Sequence, residues 1–381
     1  MTNNYKIQKN EAISLILIVM INKLILNVPF FIIDFVGTGT IVNLIYIGIL
    51  GLIFVLILNL LFKNFPNADI LDISEFVGGK FLKTIISIIF VCSFFLVSYI
   101  TLTDFANTIK IVYFQESPLI FILLFFMAAI LIANLVGLKS IIRTISLVIP
   151  FTIISIIITL FGVQDHFSID KFVPIFGYNY KTTFLNGLLN IFSLYVITYY
   201  YFIMPLLNNP TDYKKITIIS YIISWIILFS TSICILTLFP ITKNVEALNA
   251  IYLLARRIEL GDFLQRLDAL FVLLWLISIL CYLSLSIFMI NRIIQKNTQL
   301  QDSKMLSYST VSILFGLCLI PFNIATSQFI ENVIYRYLII ALTFIVCFLI
   351  MIIANIKSKR GVKLNAKKDY SIHINSDNYS I

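Results

Sequence analysis

Ten apolar runs follow one another along the chain, each near the ~20 residues a helix needs to cross the hydrocarbon of a bilayer. They fall at about 11–33, 41–62, 82–109, 117–137, 141–163, 184–207, 214–239, 263–291, 305–323 and 333–356. The fourth and fifth are parted only by Gly137-Leu138-Lys139-Ser140, and Pro321 interrupts the ninth. The pattern predicts an all-α integral membrane domain of ten transmembrane helices over 11–356, behind a polar segment 1–10. No small-residue cleavage site follows the first run, so it is expected to be a retained helix rather than a signal peptide. The longest connector, about 241–262, carries Val245, Leu248, Ile251, Tyr252, Ala255 and Ile258 at helical spacing. That spacing predicts an amphipathic helix over 245–258, lying on the protein or at the interface. Asp262 followed by Gln265 predicts the cap of the eighth helix. The tail 357–381 is basic and then rich in Asn, Ser and Asp, which predicts disorder, with Lys357, Lys359 and Arg360 against anionic lipid headgroups.

Polar residues within the runs are costly, so each asks for a reason. Lys23 is the sharpest, about 12 residues and so about 18 Å into the first helix, beside Asn22 and Leu24 and ahead of Asn27 and Pro29. A proline there removes a donor and frees a carbonyl one turn earlier, which predicts a break with Asn27 and Pro29 at the hinge. Lys23 then either faces a central site with Asn22 and Leu24 or snorkels to an interface. In the sixth helix Ser193, Tyr195, Thr198, Tyr199, Tyr200 and Tyr201 precede Pro205, a second hinge candidate. These hydroxyls could line a cavity, form an aromatic belt or meet another subunit. The third helix offers Ser93, Ser98, Thr101, Asp104 and Thr108, and the eighth offers Ser278, Cys281, Tyr282 and Ser284. Serine and threonine in spans often bond only their own i−4 carbonyl. The first and sixth helices hold equivalent places in two halves of five, and both carry mid-membrane polarity near a proline. Paired interruptions of that kind point to a midplane binding site between inverted repeats.

Composition agrees with lipid as the main solvent. The chain is 60% hydrophobic and 12% charged, with a net charge of +9. The basic residues sit in connectors and the tail, a placement that reads as topology rather than nucleic-acid binding. With the N-terminus inside, Lys6, Lys9, Lys63, Lys139, Lys296, Lys304 and others bring 18 cations to one side, against eight on the other, among them Lys110, Lys181 and Arg336. The positive-inside rule then puts both termini in the cytoplasm. Five cysteines lie inside apolar runs without a CxxC pair, and only His166 and His373 are present. Buried free thiols are expected, and no metal site, cofactor site or catalytic constellation is supported.

The punctuation of the chain resembles a known family. It includes Pro29; Phe65-Pro66, Glu75 and Gly78-Gly79-Lys80; Ser117-Pro118; Gly137-Leu138-Lys139 running to Arg143 and Pro150; and Val173-Pro174-Ile175-Phe176-Gly177. Gly261-Asp262-Phe263-Leu264-Gln265-Arg266-Leu267-Asp268-Ala269-Leu270, with Trp275 downstream, is its most specific element. In order and spacing these resemble the spore germination receptor B-subunit permeases, a branch of the amino acid–polyamine–organocation superfamily. The resemblance implies a LeuT-like 5+5 inverted repeat with broken helices 1 and 6, flanked at the ligand by helices 3 and 8. It implies a receptor in the spore inner membrane, with an A-type membrane subunit and a C-type lipoprotein as partners. A nutrient such as an amino acid would bind and trigger germination, with 245–258 as an extracellular lid. Asn22-Lys23 stands where relatives carry a glycine-rich stretch, and Ile197-Thr198 near where many carry a glutamate. The residues expected at the ligand are Asn22, Lys23, Leu24, Ser98, Thr101, Tyr195, Thr198, Tyr199 and Ser278. A secondary transporter of amino acids, or an ion or water pathway, would use the same architecture.

Overall fold

The computed structural model describes residues 5–25, 28–163, 167–168, 172–238, 250–256, 267–300, 302–320 and 330–359. They are helical almost throughout, with no strand among them beyond one isolated bridge between Ile7 and Leu207. The helices are α1 (Lys9–Ile25), α2 (Val28–Val36), α3 (Thr40–Phe62), α4 (Ile70–Val112, two helical pieces joined by a kink at Gly78-Gly79), α5 (Leu119–Val136) and α6 (Leu138–Gly162). A bent segment follows, Lys181–Leu194 and Ile197–Leu206, whose second arm contains α7 (Ile197–Ile203); then come α8 (Tyr213–Leu238), α9 (Ala250–Arg256), α10 (Leu267–Thr298) and α11 (Ser303–Cys318). The last apolar stretch runs through π-helical turns into α12 (Arg336–Ile339) and α13 (Cys347–Lys359).

Every predicted apolar run meets helix where it is described, but the count of full spans differs from ten. Among the described residues seven helices are long and apolar enough to cross a membrane, or eight if the bent segment is one span. The shortfall has local causes. In the first run α1 covers 17 described residues, Lys9–Ile25, with 26–27 outside the described residues, and α2 from Val28 runs on with α3 in one 35-residue stretch. In the ninth run α11 ends at Cys318. Asn27, Pro321, Asp262, Gln265, most of the 261–270 motif and the tail beyond Lys359 lie outside the described residues. So does the predicted outer helix, except for α9, which packs against α1, α6, α8 and α10.

Burial follows the sequence pattern. Every residue of α1 from Leu15 to Lys23 is at most 3% exposed, as expected of a helix apolar on all sides and surrounded by others. By contrast Phe121, Leu124 and Phe125 of α5, with Leu147, Phe151 and Phe161 of α6, are exposed and would face lipid. Small residues let α3 and α8 approach closely. At Gly48 the Tyr221 hydroxyl donates to the glycine carbonyl at 2.7 Å, and Trp225 Nε1 donates to the Leu44 carbonyl at 3.0 Å. Four of the five cysteines are buried, but Cys92 is exposed on α4. The expectation of five buried thiols fails there because position 92 falls on the outward side of a helix whose other face holds Phe90, Ser93 and Phe94.

Connectors that charge counting put on one side meet in space. Lys6 Nζ donates to the Pro205 carbonyl at 3.0 Å, Lys139 lies over the Tyr5 ring, and Lys357 Nζ donates to the Phe76 carbonyl at 2.7 Å. At the same end Lys296 Nζ reaches Asp69 and Asp72, both at 2.6 Å. The opposite end holds the turn Gly37–Gly39 against residues 174–183, where Thr38 Oγ1 donates to the Pro174 carbonyl and Thr183 Oγ1 to the Phe176 carbonyl. Gly177 has φ +62°, and a Cβ there would come within 2.0 Å of the Val36 carbonyl oxygen. Gly177→Ala therefore meets both a left-handed backbone and a backbone clash. It is expected to cost about 2 kcal/mol, read as a lower unfolding temperature of the purified protein in detergent. An unchanged midpoint would mean the loop can back away freely.

Candidate functional site

Two interruptions lie side by side. Lys23 sits two residues before the end of α1, and Pro29 occupies the first turn of α2, where a missing N–H costs no intrahelical bond. The sixth segment passes from π-helical Lys181–Leu185 through 3₁₀ turns over Asn186–Leu194 and bends by 41° at Tyr195–Val196. The hinge is thus at 195–196 and not at Pro205, which opens a short 3₁₀ turn at the segment's end, where its ring meets no steric conflict. Lys23 Nζ lies 5.9 Å from the Tyr195 ring centroid, so the two bends meet through a cation and an aromatic face. Both side chains are buried, Lys23 at 2% exposure.

Two helical stripes flank this meeting point. On α4, Phe94, Ser98, Thr101 and Phe105 follow i, i+4, i+7, i+11 spacing and share one face. On α10, Trp275, Ser278, Tyr282 and Ser286 follow i, i+3, i+7, i+11 spacing. The ends of the stripes are joined. Phe105 packs edge-on to Trp275 at 4.7 Å, while Phe94 packs on Tyr199 at 5.3 Å, whose hydroxyl lies 3.2 Å from Ser286 Oγ. The stripes therefore run antiparallel, with Ser98 and Thr101 level with Ser278 and Tyr282. From α1, Asn22 Nδ2 donates to Ser278 Oγ at 2.9 Å and to the Ser278 carbonyl at 3.2 Å. The Tyr195 and Tyr199 rings are 5.8 Å apart, which closes the circuit.

Polar atoms in this circuit are left over. Asn22 Oδ1, Ser98 Oγ, Thr101 Oγ1 and Trp275 Nε1 are buried without a hydrogen-bond partner among the described residues. Most buried polar groups in proteins are paired, and an unpaired one costs about 1–3 kcal/mol. These four atoms come from three helices, α1, α4 and α10, that meet in the circuit containing Lys23. The set contains a cation, one donor-only group, one acceptor and two hydroxyls, with aromatic walls from Tyr195, Tyr199, Phe94 and Phe105. That chemistry matches a small zwitterion with an apolar side chain better than a metal ion. Among the described residues no cluster of three metal-ligating side chains occurs.

The expected site residues thus divide. Asn22, Lys23, Tyr195, Tyr199 and Ser278 are brought into contact, and Ser98 and Thr101 share the α4 face that completes the ring. Thr198 turns away, its Oγ1 lying 3.2 Å from Thr343 Oγ1 of the last segment. Tyr200 and Tyr201 also bond elsewhere, to the Thr217 and Thr343 carbonyls. Leu24 is in α1, but its side chain lies outside the described residues. On α4, Thr108 bonds the Asp104 carbonyl at 2.8 Å, as an i−4 bond would predict. Phe94, Phe105 and Ser286 escaped the sequence reading because an aromatic ring or a lone serine in an apolar run carries no mark of which face it occupies.

No curated protein matches this chain. A family model described as "Spore germination protein" does match, over residues 6–327, most of the chain and all of the circuit just described. With seven helices long and apolar enough to span a bilayer, this is a multi-pass membrane protein, and the chain belongs to the spore germination permease family.

Proposed function

We propose that the protein is a membrane subunit of a nutrient-germinant receptor, which binds a small carboxylate-bearing nutrient such as an amino acid and signals germination. The ligand sits between the broken first and sixth helices, against α4 and α10, in a LeuT-like ten-span arrangement. Both termini lie on the Lys296 side, the cytoplasm of the spore, and A-type and C-type subunits are its partners. One observation carries the reading: buried Lys23 lies over the ring of Tyr195 at the bend of the sixth segment, and Asn22, Ser98, Thr101 and Trp275 each have a buried polar atom without a partner among the described residues. Lys23 takes the ligand carboxylate, Asn22 Oδ1 takes its ammonium, and the aromatic walls take its side chain. Family membership supports germination as the output.

A binding screen of amino acids against the purified receptor complex tests this. One or more amino acids are expected to bind, and Ser98→Ala with Thr101→Val to weaken binding about fivefold, the worth of about one hydrogen bond. The isolated chain in proteoliposomes is expected to accumulate no labelled amino acid. Steady gradient-driven uptake would instead make it a secondary transporter.

A further inference from the structure

Besides Lys23, one other cation among the described residues is buried: Arg336, 7% exposed, at the start of the last apolar segment. Its guanidinium carbon lies over the Phe35 ring at 4.5 Å and over the Phe192 ring at 4.8 Å. Its Nη2 donates to Asn190 Oδ1. Asn190 is held in that orientation, because its Nδ2 donates to Asn43 Oδ1 at 2.8 Å. Asn43 in turn donates to the Thr183 and Gly187 carbonyls at 2.8 and 3.0 Å. Every one of these partners is neutral. Among the described residues no carboxylate forms an ion pair with Arg336, and its Nε is buried without a hydrogen-bond partner.

A buried guanidinium without an anion is an expensive arrangement. Ring faces ease its charge but accept no N–H hydrogen bond in its plane. Asn190 takes one donor, which leaves the Nε edge of a rigid fork whose geometry suits a carboxylate. The placement has meaning too. Phe35 belongs to α2, beyond the first break, and Phe192 and Asn190 belong to the stretch before the second. The site therefore lies where both outer half-helices meet the last segment, apart from the Lys23 circuit and at the end opposite Lys296.

We propose that Arg336, with Asn190 and the Phe35 and Phe192 rings, is a second binding site that takes a small organic carboxylate. The probe is sodium acetate against sodium chloride at equal ionic strength, with the purified full-length chain in a non-ionic detergent. The readout is its thermal unfolding midpoint. Acetate at about ten times its dissociation constant is expected to raise the midpoint by about 2 °C over chloride. Arg336→Lys, which keeps the charge but not the fork, and Arg336→Met are both expected to lose that rise, whereas Lys23→Met keeps it. Loss of the rise in Lys23→Met with its retention in Arg336→Lys would overturn the proposal and assign the response to the central site. Equal effects of acetate and chloride on the natural chain would overturn it as well. Because Arg336→Lys preserves volume and charge, misfolding of Arg336→Met does not leave the question open.

Discussion

Lys23→Met is expected to raise the nutrient concentration that triggers germination by about 10- to 100-fold, while the purified protein unfolds at the same temperature or higher. The two halves of the expectation have different origins. A charge-assisted hydrogen bond to a ligand carboxylate is worth about 1.5–3 kcal/mol, which sets the loss of response. Removing a buried charge in favour of an apolar side chain of similar length is often neutral or stabilising, which sets the sign of the change in stability. A lysine that merely packed would give the opposite pairing, with lower stability and a dose response shifted only as far as the amount of folded protein falls. Dose–response curves on spores carrying the variant, set beside detergent melting curves, separate these cases. An unchanged dose response would remove Lys23 from the ligand site.

The site was partly legible because the membrane makes polarity conspicuous. Asn22-Lys23 in an otherwise apolar run, and Ser278 and Tyr195 in theirs, stand out wherever hydroxyls, amides and charges are costly. Pro29 lies in the first turn of α2, a position where a proline is tolerated. Pro205 misled as a hinge mark: it too opens a turn, whereas the bend at Tyr195–Val196 contains neither proline nor glycine. It arises instead where π and 3₁₀ turns hand over to α-helix, a change of winding with no composition signature. Thr198 stands out by its depth and by its place in the family resemblance, but neither fixes azimuth, and its hydroxyl meets that of Thr343. Asn43 and Asn190 were findable by the rule that singled out Lys23, as amides inside apolar runs. What no pattern in one run could disclose is that they share a network with Arg336, because that contact joins positions nearly 150 residues apart. The count of spans was limited in the same manner. Composition locates apolar stretches, but whether one is a single 20-residue helix or two shorter pieces depends on where the backbone breaks.

The largest loss of stability is expected at the other end of the bundle, from Asp69→Ala. Asp69 caps α4, its Oδ1 accepting from the Leu71 and Asp72 amides at 3.0 and 3.2 Å while Asp72 Oδ2 accepts from the Asp69 amide at 3.1 Å. This reciprocal box leaves Asp69 Oδ2 for Lys296 near the end of α10, so one carboxylate both starts α4 and ties it to the helix that carries Trp275 and Ser278. Burial works against the Asp69 charge, yet Lys296 and Arg292 together outweigh it and hold the carboxyl below the usual carboxylate range. Alanine removes the cap, about 1 kcal/mol, and leaves Lys296 short of a partner that is 1% exposed. Breaking a buried pair from one side costs about 3–5 kcal/mol, and the remaining contact with Asp72 places the expected total near the lower end, about 3 kcal/mol. Asp69→Asn keeps a good cap and loses only the charge, so it should melt between the natural chain and Asp69→Ala. The pH dependence gives an independent reading. A carboxyl lowered in the folded state contributes stability that is complete above its unfolded value, about 3.9, and is lost as pH falls through its folded value. Asp72, which shares Lys296, is pushed the other way by burial and by the Asp69 charge, so its protonation offsets part of that loss. The melting temperature of the natural chain should therefore drop only below about pH 4, with a shallower drop in Asp69→Asn. Identical acid profiles for the two proteins would show that Asp69 is a cap alone, and that α4 and α10 are held together by their apolar stripes without the ionic joint.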